Sequence, residues 1–302
     1  MYEDFGTILS RGFKSWVRNL NICIPFVLNF LINLFLYFLF FALMVLLVFT
    51  SSTGSIIDPA TLSDYEVFTM IWKGFCENVA LSVFLILGFF LFAMFVQSYF
   101  TAGAIGMAKK ASETGDTVLS DMLVSGSKNV FRFFLTVLLI GLLLLVGIIF
   151  LVPGALAVGD LSMLIENPEA SSIHGMTALA IGVIVWALHI IIINVVLSLS
   201  TYALVIDELG PLEALSAGFS FFKNNKLDVF FIWTLYIGVS LIISRISEFI
   251  GSENLLAAVI TILIPVAVLQ PLVAVLWTRL YLTRKGRKLY NPADLLSYPD
   301  NF

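Results

Sequence analysis

The sequence has few of the side chains that usually carry out chemistry. Among 302 residues there are two cysteines, Cys23 and Cys76, and two histidines, His174 and His189. Metal sites need clustered His, Cys, Asp or Glu, and neither histidine has such a partner nearby in sequence. Motifs typical of nucleotide binding, zinc proteases or serine hydrolases are also missing. We therefore expect no cofactor, no metal centre and no enzymatic activity.

Charged residues are scarce as well. They make up 12% of the chain, while 60% of the residues are hydrophobic. Soluble domains are about half apolar and about a quarter charged. A chain of this size cannot hide so much apolar surface from water, so lipid has to replace water around it. The small net charge of −4, without a basic field, argues against a nucleic-acid partner.

Six apolar stretches are long enough to cross a membrane, which takes about 20 residues. They cover residues 22–50, 78–106, 129–152, 176–206, 228–248 and 254–284, and are called spans 1 to 6. The N-terminus starts with acidic residues and a first apolar run too long for a signal peptide, so we expect it to remain as span 1. The predicted fold is an all-α polytopic membrane bundle, one domain over residues 1–302 with a short tail at 285–302.

The basic residues indicate the orientation of these spans. With the N-terminus in the cytoplasm, fourteen of the 16 Lys and Arg residues fall on the cytoplasmic side, and only Lys73 and Arg245 fall outside. This is a strong positive-inside bias. It predicts a cell-membrane protein with both termini cytoplasmic. Cys23 and Cys76 then lie near opposite faces, and we expect free thiols.

The segments that precede spans 1, 3 and 5 resemble one another. They read ILSRGFKSWVRN (8–19), MLVSGSKNVFRF (122–133) and ALSAGFSFFKNN (214–225), with Gly12, Gly126 and Gly218 aligned. In each, the spacing of Leu and a bulky residue around the glycine predicts a short amphipathic helix lying in the membrane interface. The glycine suggests close approach to another helix or to lipid headgroups.

These segments divide the chain into three possible repeats, each an interfacial helix followed by a helical hairpin. The repeats cover residues 1–110, 111–209 and 210–290, and an odd number of like-oriented units suggests pseudo-threefold packing about the membrane normal. The alternative is a chance likeness among short helices rich in Phe, Lys and Gly.

Basic side chains on or just beyond these helices predict contacts with anionic lipid headgroups of the inner leaflet. They are Lys14, Arg18, Lys128, Arg132, Lys223 and Lys226. The expected partner is membrane lipid, with a membrane protein or a second copy of the chain as a further possibility.

Polar side chains within the spans are expensive in lipid and therefore informative. The candidates for an intramembrane site are His189 and Asn194 in span 4, Gln97 in span 2 and Gln270 in span 6, and Asn29 and Asn33 share one face of span 1. They could converge on a polar pocket, or each could bond to a neighbouring helix as structural glue. His189 is the one that could titrate near neutral pH.

Two prolines flank Gln270. Pro265 and Pro271 remove two backbone donors and should kink span 6. A kink beside a mid-membrane amide suits a ligand site or a gate, and it also suits a helix that is merely bent.

The segment TYALVIDELGPLEALSAGFSFFKNNKLDVFFIW (201–233) combines a span ending in Glu208, an amphipathic helix with Glu213-Ala214-Leu215 and Asn224-Asn225, and another span. In this it resembles the membrane domain associated with glycerophosphodiester phosphodiesterases and its archaeal relatives of unknown function. The resemblance implies a multi-helix membrane domain without established chemistry. Because the chain ends at Phe302 with no room for a soluble phosphodiesterase domain, we expect no phosphodiesterase activity.

Three functions remain open at this point. The first is a membrane scaffold or accessory protein that organises lipid or partners, favoured by the interfacial helices. The second is a transporter or channel for a small solute, favoured by the polar residues within the spans. The third, a membrane enzyme acting on lipid, depends mainly on the family resemblance.

Overall fold

The computed structural model describes residues 3–51, 64–158, 173–251 and 254–290, and these residues are helical nearly throughout and contain no strand. Six helical segments within them are long and apolar enough to cross a membrane. They are Leu20–Leu46, Val79–Thr114, Leu119–Val158, Gly175–Asp207, Lys226–Ile250 and Val259–Arg284. The prediction of an all-α multi-pass bundle with six spans is confirmed.

The spans are built from these helices. Helix α1 (Phe5–Arg18) precedes span 1, which consists of a 3-10 turn (Leu20–Ile22) and α2 (Cys23–Ser51). Helix α3 (Asp64–Glu77) precedes span 2, which is α4 (Val79–Thr114).

The remaining spans follow in chain order. Span 3 consists of α5 (Leu119–Val146), a 3-10 turn (Gly147–Leu151) and α6 (Val152–Val158). Span 4 consists of α7 (Ile173–Leu197) and α8 (Ser200–Asp207). Helix α9 (Pro211–Asn224) precedes span 5, which is α10 (Lys226–Ile250). Span 6 consists of α11 (Leu255–Ile264), a π-helical turn (Pro265–Leu269) and α12 (Gln270–Arg284).

Two of the three predicted interfacial helices are separate elements, α1 and α9. The prediction of a separate second helix is wrong, because residues 122–133 belong to α5, which continues into span 3. The difference lies seven residues after the aligned glycine. Asn19 and Asn225 stand there in the first and third segments as the C-cap residues, with backbone angles outside the helical range. The second segment has Phe133 at that place, within the continuous helix α5.

The three segments nevertheless begin alike. Their N-cap residues are Asp4, Val118 and Gly210, each eight residues before the aligned glycine. The Asp121 and Glu213 carboxylates accept from the backbone N–H groups of Val118 and Gly210, which otherwise lack helical partners. In the first segment the Asp4 carboxylate accepts from the backbone of Thr7 instead.

The aligned glycines are points of close helix contact. A Cβ at Gly12 would lie 2.6 Å from the Leu276 side chain of span 6. One at Gly126 would lie 2.9 Å from the backbone oxygen of Tyr99 in span 2, and one at Gly218 would lie 2.8 Å from the backbone nitrogen of Ser200 in span 4. The second segment thus contacts span 2, the third contacts span 4, and the first contacts span 6. Pseudo-threefold packing of three repeats stays a prediction.

The buried core lies at the end of the bundle where odd spans begin and even spans end, which we call the basic end. Its members include Ile105, Leu204 and Leu280 near the ends of spans 2, 4 and 6. Toward the opposite end, large apolar side chains such as Phe38 and Phe84 are exposed, as expected for surfaces that face lipid.

Ion pairs join the helices at the basic end. Arg279 of span 6 binds Glu3 through two hydrogen bonds of 2.7 and 2.9 Å, and both side chains are almost fully buried. The further pairs are Arg284–Asp228, Arg287–Asp207, Lys110–Asp121, Lys128–Glu208 and Arg18–Asp116. They connect elements from all three units, so this end of the bundle is held together by charge as well as by packing.

Candidate functional site

A polar cavity of about 480 Å³ lies among spans 1, 2, 4, 5 and 6. Its polar lining consists of Asn29, Gln97, Thr101, Asn194, Ser198, Tyr202, Tyr236 and Gln270. Trp233 and Trp277 add aromatic surface. None of the described residues that line it is charged. The volume falls within the range of about 300–1,000 Å³ that is usual for small-molecule sites.

A second cavity of about 280 Å³ adjoins the first and extends toward the end opposite the basic end. Both cavities are lined by Asn29, Gln97 and Gln270, and the second adds Asn33 and Tyr37 of span 1. Polar side chains therefore follow one another along a large part of the bundle's length, with the three shared amides at the junction.

Helical periodicity places these groups on shared faces. Asn194, Ser198 and Tyr202 follow one another at intervals of four residues in span 4, and Gln97 and Thr101 do so in span 2. Residues four apart lie on one side of a helix. Thr101, Ser198 and Tyr202 were not predicted, although this spacing from Gln97 and Asn194 was a signal that could have found them. Tyr236 and Trp233 lie in span 5, which has no predicted amide, and had no such signal.

The amides that line the two cavities have unused hydrogen-bonding capacity. Within the described residues, the side chains of Gln97 and Gln270 make no hydrogen bond. Asn194 donates only to the carbonyl of Ile190 in its own helix, at 2.8 Å, and Asn33 donates to the backbone and side-chain oxygens of Asn29. Each such side chain offers both donors and acceptors. The cavity lining can therefore form hydrogen bonds with a polar solute or with water.

Span 6 departs from a regular α-helix beside Gln270. Helix α11 ends at Ile264, and the π-helical turn Pro265–Leu269 separates it from α12. The backbone N–H of Gln270 donates to the carbonyl of Pro265, five residues back. Such π turns often occur at functional sites. Here the turn ends at Leu269, so Gln270 is the first residue of α12.

His189 stands apart from the other predicted polar residues. Its Nε2 lies 3.0 Å from the carbonyl oxygen of Leu143 in span 3, and its ring meets the edge of Phe150. A Cβ at Gly147 would lie 2.4 Å from the histidine ring, so the two helices touch here. The structure brings Gln97, Asn194 and Gln270 together in the cavity and uses His189 in the contact between spans 3 and 4.

The six predicted headgroup-binding residues also divide into two groups. Arg18 binds Asp116, Lys128 binds Glu208, and Arg132 donates to the Glu208 backbone at 2.9 Å. Lys14, Lys223 and Lys226 are exposed and have no ion-pair partner among the described residues. Of the six, these three therefore have a charge that no described contact pairs and that could bind a lipid headgroup.

Charge pairing shifts the pKa values of two carboxylates at the basic end. Burial alone would raise the pKa of Glu3, but the hydrogen bonds and positive charges of Arg279 and Arg11 outweigh it and lower that pKa. The hydrogen bond from Lys128 lowers the pKa of Glu208. Both groups are therefore ionised at neutral pH.

No group of three or more His, Cys, Asp or Glu side chains that could hold a metal ion occurs in the described part of the chain. Cys23 and Cys76 are free thiols, as predicted. Comparison with protein-family models, curated proteins and solved structures finds no match for this chain.

Proposed function

We propose that this multi-pass membrane protein binds a small uncharged polar solute in its central cavity and conducts it across the membrane. The observation that supports this most directly is the convergence of Gln97, Asn194 and Gln270, from three different spans, on one cavity. Polar groups within the membrane are expensive, and they commonly mark a functional site.

The lining indicates the chemical class of the solute. Amides and hydroxyls both donate and accept hydrogen bonds, so they can replace the water shell of a neutral polar molecule. An ion in this cavity would meet no opposite charge in the described lining, and an unpaired charge in a low-dielectric environment is costly. The indole rings of Trp233 and Trp277 suit the carbon skeleton of a polyol, an amide or a similar compound.

The proposal includes an orientation. The positive-inside rule favours a cell-membrane location with the basic end, and hence both termini, in the cytoplasm. In that orientation the cavity of about 480 Å³ lies toward the cytoplasm, and the one of about 280 Å³ extends toward the outer face.

A flux assay with several small solutes tests the proposed function. Purified protein in liposomes is mixed with hyperosmotic glycerol, urea or a small polyol, and swelling is followed by light scattering. We expect at least one solute to enter faster than in protein-free liposomes. Gln270→Leu keeps a side chain of similar volume but removes its hydrogen bonds, and should reduce the rate about tenfold or more, since a lost hydrogen bond to a desolvated solute costs on the order of 1–3 kcal/mol.

His189→Ala provides the control, because His189 lies outside the cavity lining. Folded His189→Ala protein should conduct like the original. Equal flux in protein-containing and empty liposomes for every solute, or unchanged flux in Gln270→Leu, would contradict the proposal.

A second function, a scaffold that holds anionic lipid, is favoured by the exposed Lys14, Lys223 and Lys226 on or beside α1 and α9. The neighbouring Phe13 and Phe219 are also exposed, as suits helices lying in the interface. A membrane-protein partner or a second copy of the chain fits this role. The resemblance to the membrane domain associated with glycerophosphodiester phosphodiesterases stays a hypothesis about family, and we propose no enzymatic activity.

A further inference from the structure

A small basic pocket lies at the basic end, apart from the central cavity. It has a volume of about 90 Å³ and lies between α1, the end of span 2 and span 6. Its polar lining is Arg11, Lys14, Ser15, Arg18, Arg279 and Tyr290. About 10–15 Å³ of such space admits one water molecule, so this pocket admits a group of several heavy atoms.

The charges around the pocket do not balance. Four cationic side chains line the pocket, and two carboxylates pair with them. Glu3 is shared between Arg11 at 2.8 Å and Arg279 at 2.7 Å. Asp116 binds Arg18 at 2.9 Å. Counted over the described residues, the local excess is two positive charges. An anion of up to two negative charges would balance it.

Two donors in the pocket are unused. The hydroxyl of Ser15 is buried and has no hydrogen-bond partner among the described residues, although a buried hydroxyl without a partner is costly. Lys14, one residue earlier, has no ion-pair partner in the same part of the chain. Both therefore have a donor available for a ligand that the chain itself does not supply.

The surrounding arginines are held in place before any ligand arrives. Arg279 is only 3% exposed and is fixed by both oxygens of Glu3. Arg18 is fixed by two bonds to Asp116 and by one to the Tyr290 hydroxyl at 3.0 Å. Preorganised guanidinium groups favour anions with several oxygens, above all phosphate.

From this arrangement we infer that the pocket binds a phosphate group, presented either by an anionic lipid or by a soluble phosphate compound. Lys14 and Ser15 donate to its oxygens, while the arginines supply the surrounding positive field. The exposed Phe13 and Val17 place α1 at the membrane surface, where a headgroup could reach the pocket. The inference is independent of the proposed solute pathway.

Binding is tested with the full-length protein in neutral detergent. Inorganic phosphate is titrated by calorimetry, and retention of phosphatidic acid from a mixture with phosphatidylcholine is followed by native mass spectrometry. Lys14→Ala and Ser15→Ala should each weaken binding of the effective probe by about tenfold, the usual effect of losing one hydrogen bond to a charged group. Lys73→Ala removes the same charge from an exposed lysine of α3, at the end of the bundle opposite the basic end, and should leave binding unchanged.

The two probes separate the two sources of the phosphate. Retention of phosphatidic acid that depends on Lys14 identifies a lipid headgroup site, whereas Lys14-dependent binding of inorganic phosphate alone identifies a site for a soluble compound. The inference is overturned if neither probe binds, or if the Lys14 and Ser15 variants, shown by their thermal unfolding to be folded, bind as well as Lys73→Ala.

Discussion

Glu3 is the residue on which several elements of the basic end depend. Its carboxylate receives Arg11 of α1 and Arg279 of span 6, and its backbone oxygen accepts from Arg284 at 2.8 Å. Removing one partner of a buried ion pair leaves an uncompensated charge, which is far more damaging than losing an exposed pair. Glu3 therefore ties the N-terminus to the end of span 6.

Glu3→Gln should lower the free energy of unfolding by about 3 kcal/mol, because Arg279 then stays buried without its counter-charge. Asp116→Asn is the matched control. The Arg18–Asp116 pair is exposed, at 46% and 69% of the side chains, so its loss should cost less than about 1 kcal/mol. Denaturant unfolding in detergent measures both, and equal effects would contradict the assigned role of Glu3.

The same residue predicts how stability depends on pH. The pKa of Glu3 is lowered in the folded protein, so its contribution is complete above the unfolded-state value of about 4.3 and is lost as the pH falls through the lower folded-state value. Between about pH 5 and pH 3 the thermal midpoint should fall more steeply for the original protein than for Glu3→Gln. Parallel curves would show that Glu3 does not contribute in this way.

At the scale of helices, three glycines decide how closely the units pack. A methyl group at Gly218 would meet the backbone of Ser200, and one at Gly126 would meet the backbone oxygen of Tyr99. At Gly12 the obstacle is the end of the Leu276 side chain, which can move aside. The same sequence position thus has different tolerance in the three units.

Alanine at these positions should destabilise the protein in a graded way. Gly218→Ala and Gly126→Ala should each cost about 1–3 kcal/mol, as for other overpacked contacts, and Gly12→Ala should cost less. Gly88→Ala is the control, since nothing lies within 4 Å of a Cβ there, and it should be neutral or slightly stabilising. Thermal unfolding provides the ranking, and equal effects at all four positions would refute the proposed close contacts.

Element boundaries show where sequence patterns suffice and where they do not. The repeated glycine and leucine spacing predicted helical segments that begin three residues after the observed starts of α1, α5 and α9. The segments differ seven residues after the glycine, where Asn19 and Asn225 are C-cap residues and Phe133 lies within a continuous helix. An amphipathic pattern shows which face is apolar but not whether the helix continues into the membrane.

For the whole molecule, hydropathy alone predicted six spans, because a membrane demands long apolar helices. The site was predicted only in part. Gln97, Asn194 and Gln270 meet in the cavity, whereas His189 faces span 3, since the rotation of each helix depends on contacts between helices that sequence spacing does not specify. The ion pairs of Glu3 and Asp207 join residues far apart in the chain and had no local signal.

The orientation of the whole molecule can be tested with its own thiols. Cys76 is exposed, near the start of span 2 and opposite the basic end. In a Cys23→Ser background, a membrane-impermeant maleimide should label Cys76 from outside intact cells. With Cys76→Ser in addition, Lys223→Cys should react only after the membrane is opened. The reverse pattern would contradict a cytoplasmic basic end.

The accessibility of thiols placed in span 4 shows whether water reaches the polar cavity between the spans. In a background with Cys23→Ser and Cys76→Ser, Asn194→Cys places a thiol in the cavity lining, whereas Ile192→Cys places one on the apolar surface of the same span. A small water-soluble methanethiosulfonate reagent should modify Asn194→Cys at least about tenfold faster, because thiolate forms only where water is present. Equally slow modification of both thiols in the membrane-embedded protein would contradict the account.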